Sequence, residues 1–156
     1  MQFPSQFKND ADASIGLVFI KAYNTWHTKI KRELRRLDIT HPQFVLMTTI
    51  AYLSQHDAHI SQARAAALAN MDEMSVSQIV KTLLKSGHIL RQDNPNDTRS
   101  YALSLTAKGS EAVKTALPVV EAIDKAFFEP LGVQKPVFLE LLRQLADANP
   151  AKPGPA

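Results

Sequence analysis

Residues 88–109, HILRQDNPNDTRSYALSLTAKG, constrain this chain more than any other segment. The apolar pair Ile89 and Leu90 leads into a polar tip, Asp93-Asn94-Pro95-Asn96-Asp97, built from strong turn-formers. A second run follows in which Tyr101, Leu103 and Leu105 alternate with smaller or polar residues, the period of a half-buried strand. Arg99 sits at the base of the tip. Directly upstream, residues 72–87 read as an amphipathic helix ending at Gly87. A helix followed by a hairpin with a charged tip is the layout of a winged helix: a helix for a major groove and a basic loop beside it.

Apolar steps of three and four residues mark the other helices. Residues 13–36 place Ile15, Val18, Phe19, Ala22, Trp26, Ile30 and Leu34 on one stripe, with Leu37 just beyond. Asp12 or Ser14 can cap its start, and Arg35 and Arg36 suit its C-terminal dipole. Thr40-His41-Pro42-Gln43 has the form of a capping box with Pro in the first turn. The helix it opens, over 41–54, carries Phe44, Val45, Leu46, Met47, Ile50, Ala51 and Leu53; apolar nearly all round, it belongs at the centre. Ser61 caps a short Ala-rich helix over 62–69, stopped by a left-handed Asn70. Asp72 caps the next, over 73–86. One face of it holds Val76, Ile79, Val80, Leu83 and Leu84, the other Met74, Gln78, Lys81, Thr82 and Lys85. Two short helices about a tight turn, the second with a polar outward face, make a helix-turn-helix.

Thr106 caps a long helix reaching residue 128, with Val113, Ala116, Leu117, Val120, Ile123 and Phe127 on its stripe and Pro118 expected to kink it. A last helix over 135–147 carries Phe138, Leu141, Leu142 and Leu145. The terminal helices hold more apolar stripe than a small helix-turn-helix can cover, which predicts a dimer built from the first helix and the last two. The fold class expected is mainly α with a small β-hairpin wing: a winged helix-turn-helix over 38–105 between helical dimerisation segments, 13–37 and 106–147. All 156 residues then form one domain, with a disordered tail over 149–156 that is rich in Pro and small residues.

Composition narrows the function classes. With 45% hydrophobic residues the chain can build a core, yet no stretch approaches the ~20 apolar residues of a membrane span. The N-terminus lacks the basic and apolar regions of a signal peptide, so a cytoplasmic location is expected. The absence of Cys excludes disulfides, thiol redox sensing and thiolate metal sites. His56-Asp57-Ala58-His59 has metal-compatible types but lacks a third defined ligand. No nucleophile–base arrangement, phosphate-binding Gly loop or carboxylate pair stands out, so no enzyme, cofactor or metal site is expected. The net charge of +3 does not by itself imply nucleic acid.

Residues 41–109 resemble the MarR family of bacterial winged-helix transcription regulators. The likeness is carried by His41-Pro42-Gln43-Phe44-Val45-Leu46, by the segment 71–87 with Ser75-Val76-Ser77, and above all by Asp97-Thr98-Arg99-Ser100 followed by Leu105-Thr106-Ala107-Lys108-Gly109. Either half of that last pair alone would be a weak signal; together, at this spacing, they are specific. The helical extensions also fit, so the likeness covers nearly the whole chain. It implies a two-fold dimer, a recognition helix in the major groove, a wing in the minor groove, and repression relieved by a small aromatic ligand. Three departures stand out. Glu73 and Met74 occupy positions where relatives often carry basic or hydroxyl-bearing residues. Ala65 and Ala69 replace larger apolar residues. Residues 38–105 hold five cationic side chains against six carboxylates, a formal charge of −1, so DNA binding rests on placement.

The expected DNA-binding residues are Arg64, Met74, Ser75, Ser77, Gln78, Lys81, Thr82, Lys85, Asp97 and Arg99. A guanidinium at a wing tip can enter a narrow A·T-rich minor groove, and Asp97 can orient it. Gln78 can make a paired contact to adenine, while Lys81, Thr82 and Lys85 can reach guanine or phosphates, and Met74 a thymine methyl. Ser75 and Ser77 can hold phosphates or simply satisfy the helix N-terminus. Arg64 suits a backbone phosphate, and Arg91 suits bracing the wing. Without the wing, the face around Gln78 would read as an ordinary solvated surface. Trp26, His27, Ile30, Phe44, Met47 and Thr48 lie on helices that in this family flank a ligand crevice, and they equally suit plain core. The reading reached is a homodimeric, sequence-specific DNA-binding repressor; the alternative is a winged-helix protein-interaction module with weak or no DNA binding.

Overall fold

The computed structural model describes residues 4–93 and 101–150. Its elements run α1 (Ile15–Arg35), α2 (His41–Leu53), β1 (Ile60–Ser61), α3 (Gln62–Ala69), α4 (Glu73–Lys85), β2 (Ile89–Asp93), β3 (Tyr101–Leu105), α5 (Ala107–Phe128) and α6 (Lys135–Ala148). Short 3-10 turns precede α1 at Ala11–Ala13 and join α5 to α6 at Glu129–Gln134.

Five helices begin where a side-chain oxygen accepts an orphan backbone N–H. Ser14 caps α1, Ser61 caps α3, Asp72 caps α4 and Thr106 caps α5. At α2 the capping box is complete: the Thr40 hydroxyl accepts from the Gln43 N–H at 3.3 Å, and the Gln43 side chain accepts from the Thr40 N–H at 2.9 Å. Pro118 lies inside α5, which continues through it to Phe128.

The hairpin has a third partner. Ile60 and Ser61 pair antiparallel with Leu103 and Ala102, giving the strand order β1-β3-β2. A two-residue strand has no periodicity to read, so the sequence shows only the hairpin. The added strand makes β3 central, and both Ala102 and Leu103 are buried where alternation predicted one inward face. The β2–β3 register sets Ile89 opposite Leu105, Arg91 opposite Leu103 and Asp93 opposite Tyr101.

The core gathers around α2, as its all-round apolar character requires. Leu46, Met47 and Ile50 are fully buried, together with Ile30 and Leu34 of α1, Val76 and Leu83 of α4, and Ala116 of α5. Each large aliphatic side chain withdrawn from water contributes about 1.5–3 kcal/mol. The terminal segments are different. Ile15 is 87% exposed, Phe19 61% and Leu145 61%, and α6 buries none of its residues.

One junction positions everything that follows. At the end of α4 the chain passes through Gly87, whose φ of 71° is costly for any residue with a Cβ. The Thr106 hydroxyl donates to the Gly87 carbonyl at 2.7 Å, and the Thr106 N–H donates to the His88 carbonyl at 3.0 Å. Lys108 Nζ reaches the Ser86 carbonyl at 2.7 Å. Gly109 packs so closely that a Cβ there would lie 2.0 Å from the His88 carbonyl oxygen. The Leu-Thr-x-x-Gly motif is therefore a joint: it caps α5 and fastens α5 to the end of α4.

Candidate nucleic-acid interface

α4 is the element built to be read from outside. Its buried face, Val76, Val80 and Leu83, packs into the core, with Ile79 and Leu84 partly covered. The opposite face carries Met74, Gln78, Lys81, Thr82 and Lys85, all exposed, as the helical spacing predicts. Ser75 is also exposed and Ser77 is half-buried. The turn between α3 and α4 places Asn70 at φ 49°, ψ 44°, the left-handed stop expected of it.

The start of α4 is acidic. The Asp72 carboxylate accepts from the Ser75 N–H at 2.8 Å. Hydrogen bonds from the Ser75 side chain and backbone hold its pKa below 3.8. Asp72 thus stays ionised, and Glu73 follows it in the first turn. Both suit the helix dipole, yet they set negative charge beside the face offered to phosphates. The Ser75 hydroxyl is engaged with this cap.

Arg64 is exposed on the first turn of α3, where its guanidinium pairs with the Asp57 carboxylate. Asp57 also accepts from the His59 N–H at 2.9 Å. The His56-Asp57-Ala58-His59 stretch thus serves as a loop brace, and no group of three metal-ligating side chains gathers among the described residues.

The paired strands β2 and β3 are described as far as Asp93 opposite Tyr101. Asp97 and Arg99, the wing residues expected to meet DNA, lie outside the described residues. At the wing's base the Arg91 guanidinium lies 3.5 Å from the centre of the Tyr101 ring. This exposed cation–π contact is worth about 0.5–1 kcal/mol and fits the bracing role read for Arg91.

A second region lies between α1 and the start of α2. Tyr23 stacks on His27 at 5.1 Å, His27 lies 5.1 Å from His41, and Trp26 meets His41 edge-on at 5.3 Å. Trp26 Nε1 donates to the Asp124 carboxylate at 2.7 Å, tying α1 to α5. In front of these rings opens a cleft of about 570 Å³, lined among others by Tyr23, His27, Lys31, Arg35, Thr40 and His41. Burial holds the His41 ring below the ordinary 6.5; the neighbouring His27 pushes the same way and Asp124 opposes them. Of the six ligand candidates, His27 lines this cleft and Trp26 packs in the ring cluster beside it. Ile30, Phe44 and Met47 are core residues. Thr48 is half-buried, and its Oγ1 is buried with no hydrogen-bond partner among the described residues.

For Gln43, Lys31 and Arg35 the local sequence does not reveal the contacts they make in the fold. Gln43 Nε2 donates to Thr82 Oγ1 at 3.2 Å, linking α2 to α4 across 39 positions. Lys31 and Arg35 look like a solvated basic run until the fold lines the cleft with them.

Comparison with known proteins bears on both regions. The MarR family model matches residues 39–101. The uncharacterized HTH-type transcriptional regulator YdcH of Bacillus subtilis is 39% identical over 145 residues, covering 93% of this chain and 97% of the relative. A crystal structure of a mutant MarR from E. coli complexed with operator DNA aligns with a TM-score of 0.75 at 20% identity, covering 91% of this chain and 98% of that one. The PcaV transcriptional regulator of Streptomyces coelicolor, in complex with its natural ligand, aligns with a TM-score of 0.72 at 20% identity, covering 94% and 99%.

Proposed function

This chain belongs to the MarR family, and we propose that it is a homodimeric repressor of a pseudo-palindromic operator, released by a small aromatic ligand. Members are DNA-binding transcription regulators and not enzymes. The observation that carries the finer reading is the outward face of α4: Gln78, Lys81 and Lys85 stand exposed on a helix whose end is fastened to both the wing and α5. Gln and Lys are suited to adenine and to guanine or phosphate. The operator complex of the E. coli relative supports this use of the shared fold.

Dimerisation is supported by the exposed apolar stripes of α1 and α6, which water alone would face in a monomer. Two-fold symmetry then places two copies of α4 on half-sites about one helical turn, ~10 bp, apart. Ligand release is supported by the cleft beside His27 and His41: its rings offer stacking, and Lys31 and Arg35 favour an anionic group. The relative with its natural ligand lends weight to that role. Among the described residues no helix is long and apolar enough to cross a membrane, and the proposed work on DNA is cytoplasmic.

Selection of bound fragments from random-sequence DNA, followed by titration at several salt concentrations, tests the reading. A two-fold symmetric motif with salt-dependent affinity is expected. Binding to no DNA at low salt would instead favour the interaction module, a reading prompted by Asp72, Glu73 and the Asp57 partner of Arg64.

A further inference from the structure

We infer that Gln43, which lies outside the α4 reading face, is a positioning residue for DNA recognition, and that Thr82 serves as its inner anchor and does not read bases. The inference rests on the DNA-binding reading above and deepens it. The amide of Gln43 is used at both ends. Its Oε1 accepts from the Thr40 N–H at 2.9 Å, completing the cap of α2, and its Nε2 donates to Thr82 Oγ1 at 3.2 Å. The oxygen fixes which way the amide faces, because a flipped amide would set a donor against the Thr40 N–H. The NH₂ group is thereby aimed at α4.

Thr82 is occupied in a matching way. Its hydroxyl hydrogen goes to the Ile79 carbonyl at 2.8 Å, which turns the oxygen lone pairs to accept from Gln43. With its one hydrogen donated inside the helix, Thr82 has no donor left for guanine O6 or a phosphate oxygen. Among the described residues, its neighbours Gln78, Lys81 and Lys85 show no such tie. α4 is held at its end by the Thr106 and Lys108 bonds, and at its inner face by apolar packing, which is less directional than a hydrogen bond. A directional hydrogen bond from α2, itself anchored in the core by Leu46 and Ile50, adds a restraint on the fine rotation of α4 at Thr82. Rotation sets which base edges Gln78 faces, so the link acts on sequence preference.

The test is a double-mutant cycle with Gln43→Ala and Thr82→Val, plus Thr82→Ser and Gln43→Glu as conservative partners. Each protein is titrated against the DNA selected by the parent and against single-base variants of it. In the free proteins, amide exchange over residues 79–85 is measured. Gln43→Ala and Thr82→Val should each reduce discrimination at the Gln78-facing position about three- to five-fold, the scale of one modest hydrogen bond. The double variant should be no worse than either single one. Thr82→Ser keeps the acceptor and should match the parent. Gln43→Glu keeps the cap and can take the Thr82 hydroxyl as donor, so it should lose less than Gln43→Ala. Both link-breaking variants should speed exchange in 79–85 to the same extent, with global unfolding little changed.

Additive losses would mean that Thr82 reads DNA on its own, and would overturn the inference. Unchanged discrimination and unchanged exchange would also overturn it. If the parent selects no DNA, the DNA-binding reading falls by itself, and the exchange measurement still decides the link: equal acceleration in both variants upholds it, and none refutes it.

Discussion

α4 and α6 are helices of similar length and similar amphipathic pattern, with opposite fates. α4 buries Val76, Val80 and Leu83 inside its own chain. α6 carries Phe138, Leu141, Leu142 and Leu145 at the same kind of spacing and buries none of them. An apolar stripe is thus a demand for cover, and the sequence that writes the demand does not say which molecule meets it. For α4 the cover is α2, α3 and the sheet; for α6 and the first half of α1 the best candidate is a second copy.

Four experiments would break or sharpen this contrast. The largest effect is expected from Leu46→Ala, at the centre of the covered region, which should cost about 2–5 kcal/mol in chemical denaturation. A loss below 1 kcal/mol would mean that the core lies elsewhere. Next, Leu145→Glu should convert a dimer of about twice the chain mass into a monomer by light scattering while leaving helical content intact, because little packing within the chain is lost. If the variant instead unfolds, α6 is covered by its own chain. On the reading side, Gln78→Ala should cost about 1–3 kcal/mol on the selected site and relax preference at one position per half-site, without altering mass. Uniform weakening on all sequences would assign Gln78 to phosphates.

The smallest effect is a pH dependence confined to the covered side. His41 and His88 both sit below the ordinary 6.5, His41 through burial and then His27, His88 through burial and then Lys108. A histidine with a depressed folded value binds fewer protons folded than unfolded, so stability rises with pH. The contribution is complete above about 6.5 and is lost as pH falls through the folded values. The melting temperature should therefore drop between pH 7 and 5, and His41→Gln should flatten part of that drop. The same slope in His41→Gln as in the parent would place the titration elsewhere.

Much of the fold was legible because its signals are local. Caps at Ser14, Thr40, Ser61, Asp72 and Thr106 and stripes of period three to four fix helix starts and faces, and every long helix lies within two residues of its expected bounds. β1 was not legible, since two residues show no alternation and its partner, β3, lies 43 positions away at Ile60↔Leu103. The outward face of α4 could be read residue by residue because it depends on one helix alone. The cleft could not: it takes Lys31 and Arg35 from α1 and Thr40 and His41 from the next helix, whereas Ile30, Phe44 and Met47, chosen by type, went to the core. The Gln43–Thr82 contact likewise exists only once α2 and α4 are set side by side, and the Arg64–Asp57 pair only once the loop before α3 folds back on it.

The joint at Gly87, His88, Thr106 and Gly109 has a mechanical consequence. With so close an approach and so many bonds, α4 and α5 cannot swivel independently; they form a bent crank. Its long arm, the 22 residues of α5, extends about 33 Å at 1.5 Å per residue. Tilting such an arm by roughly 5° moves its far end by about 3 Å, close to the ~3.4 Å rise of one base pair. In a two-fold dimer, two cranks hinged at the same axis would turn a tilt that small into a misfit of one step along the double helix.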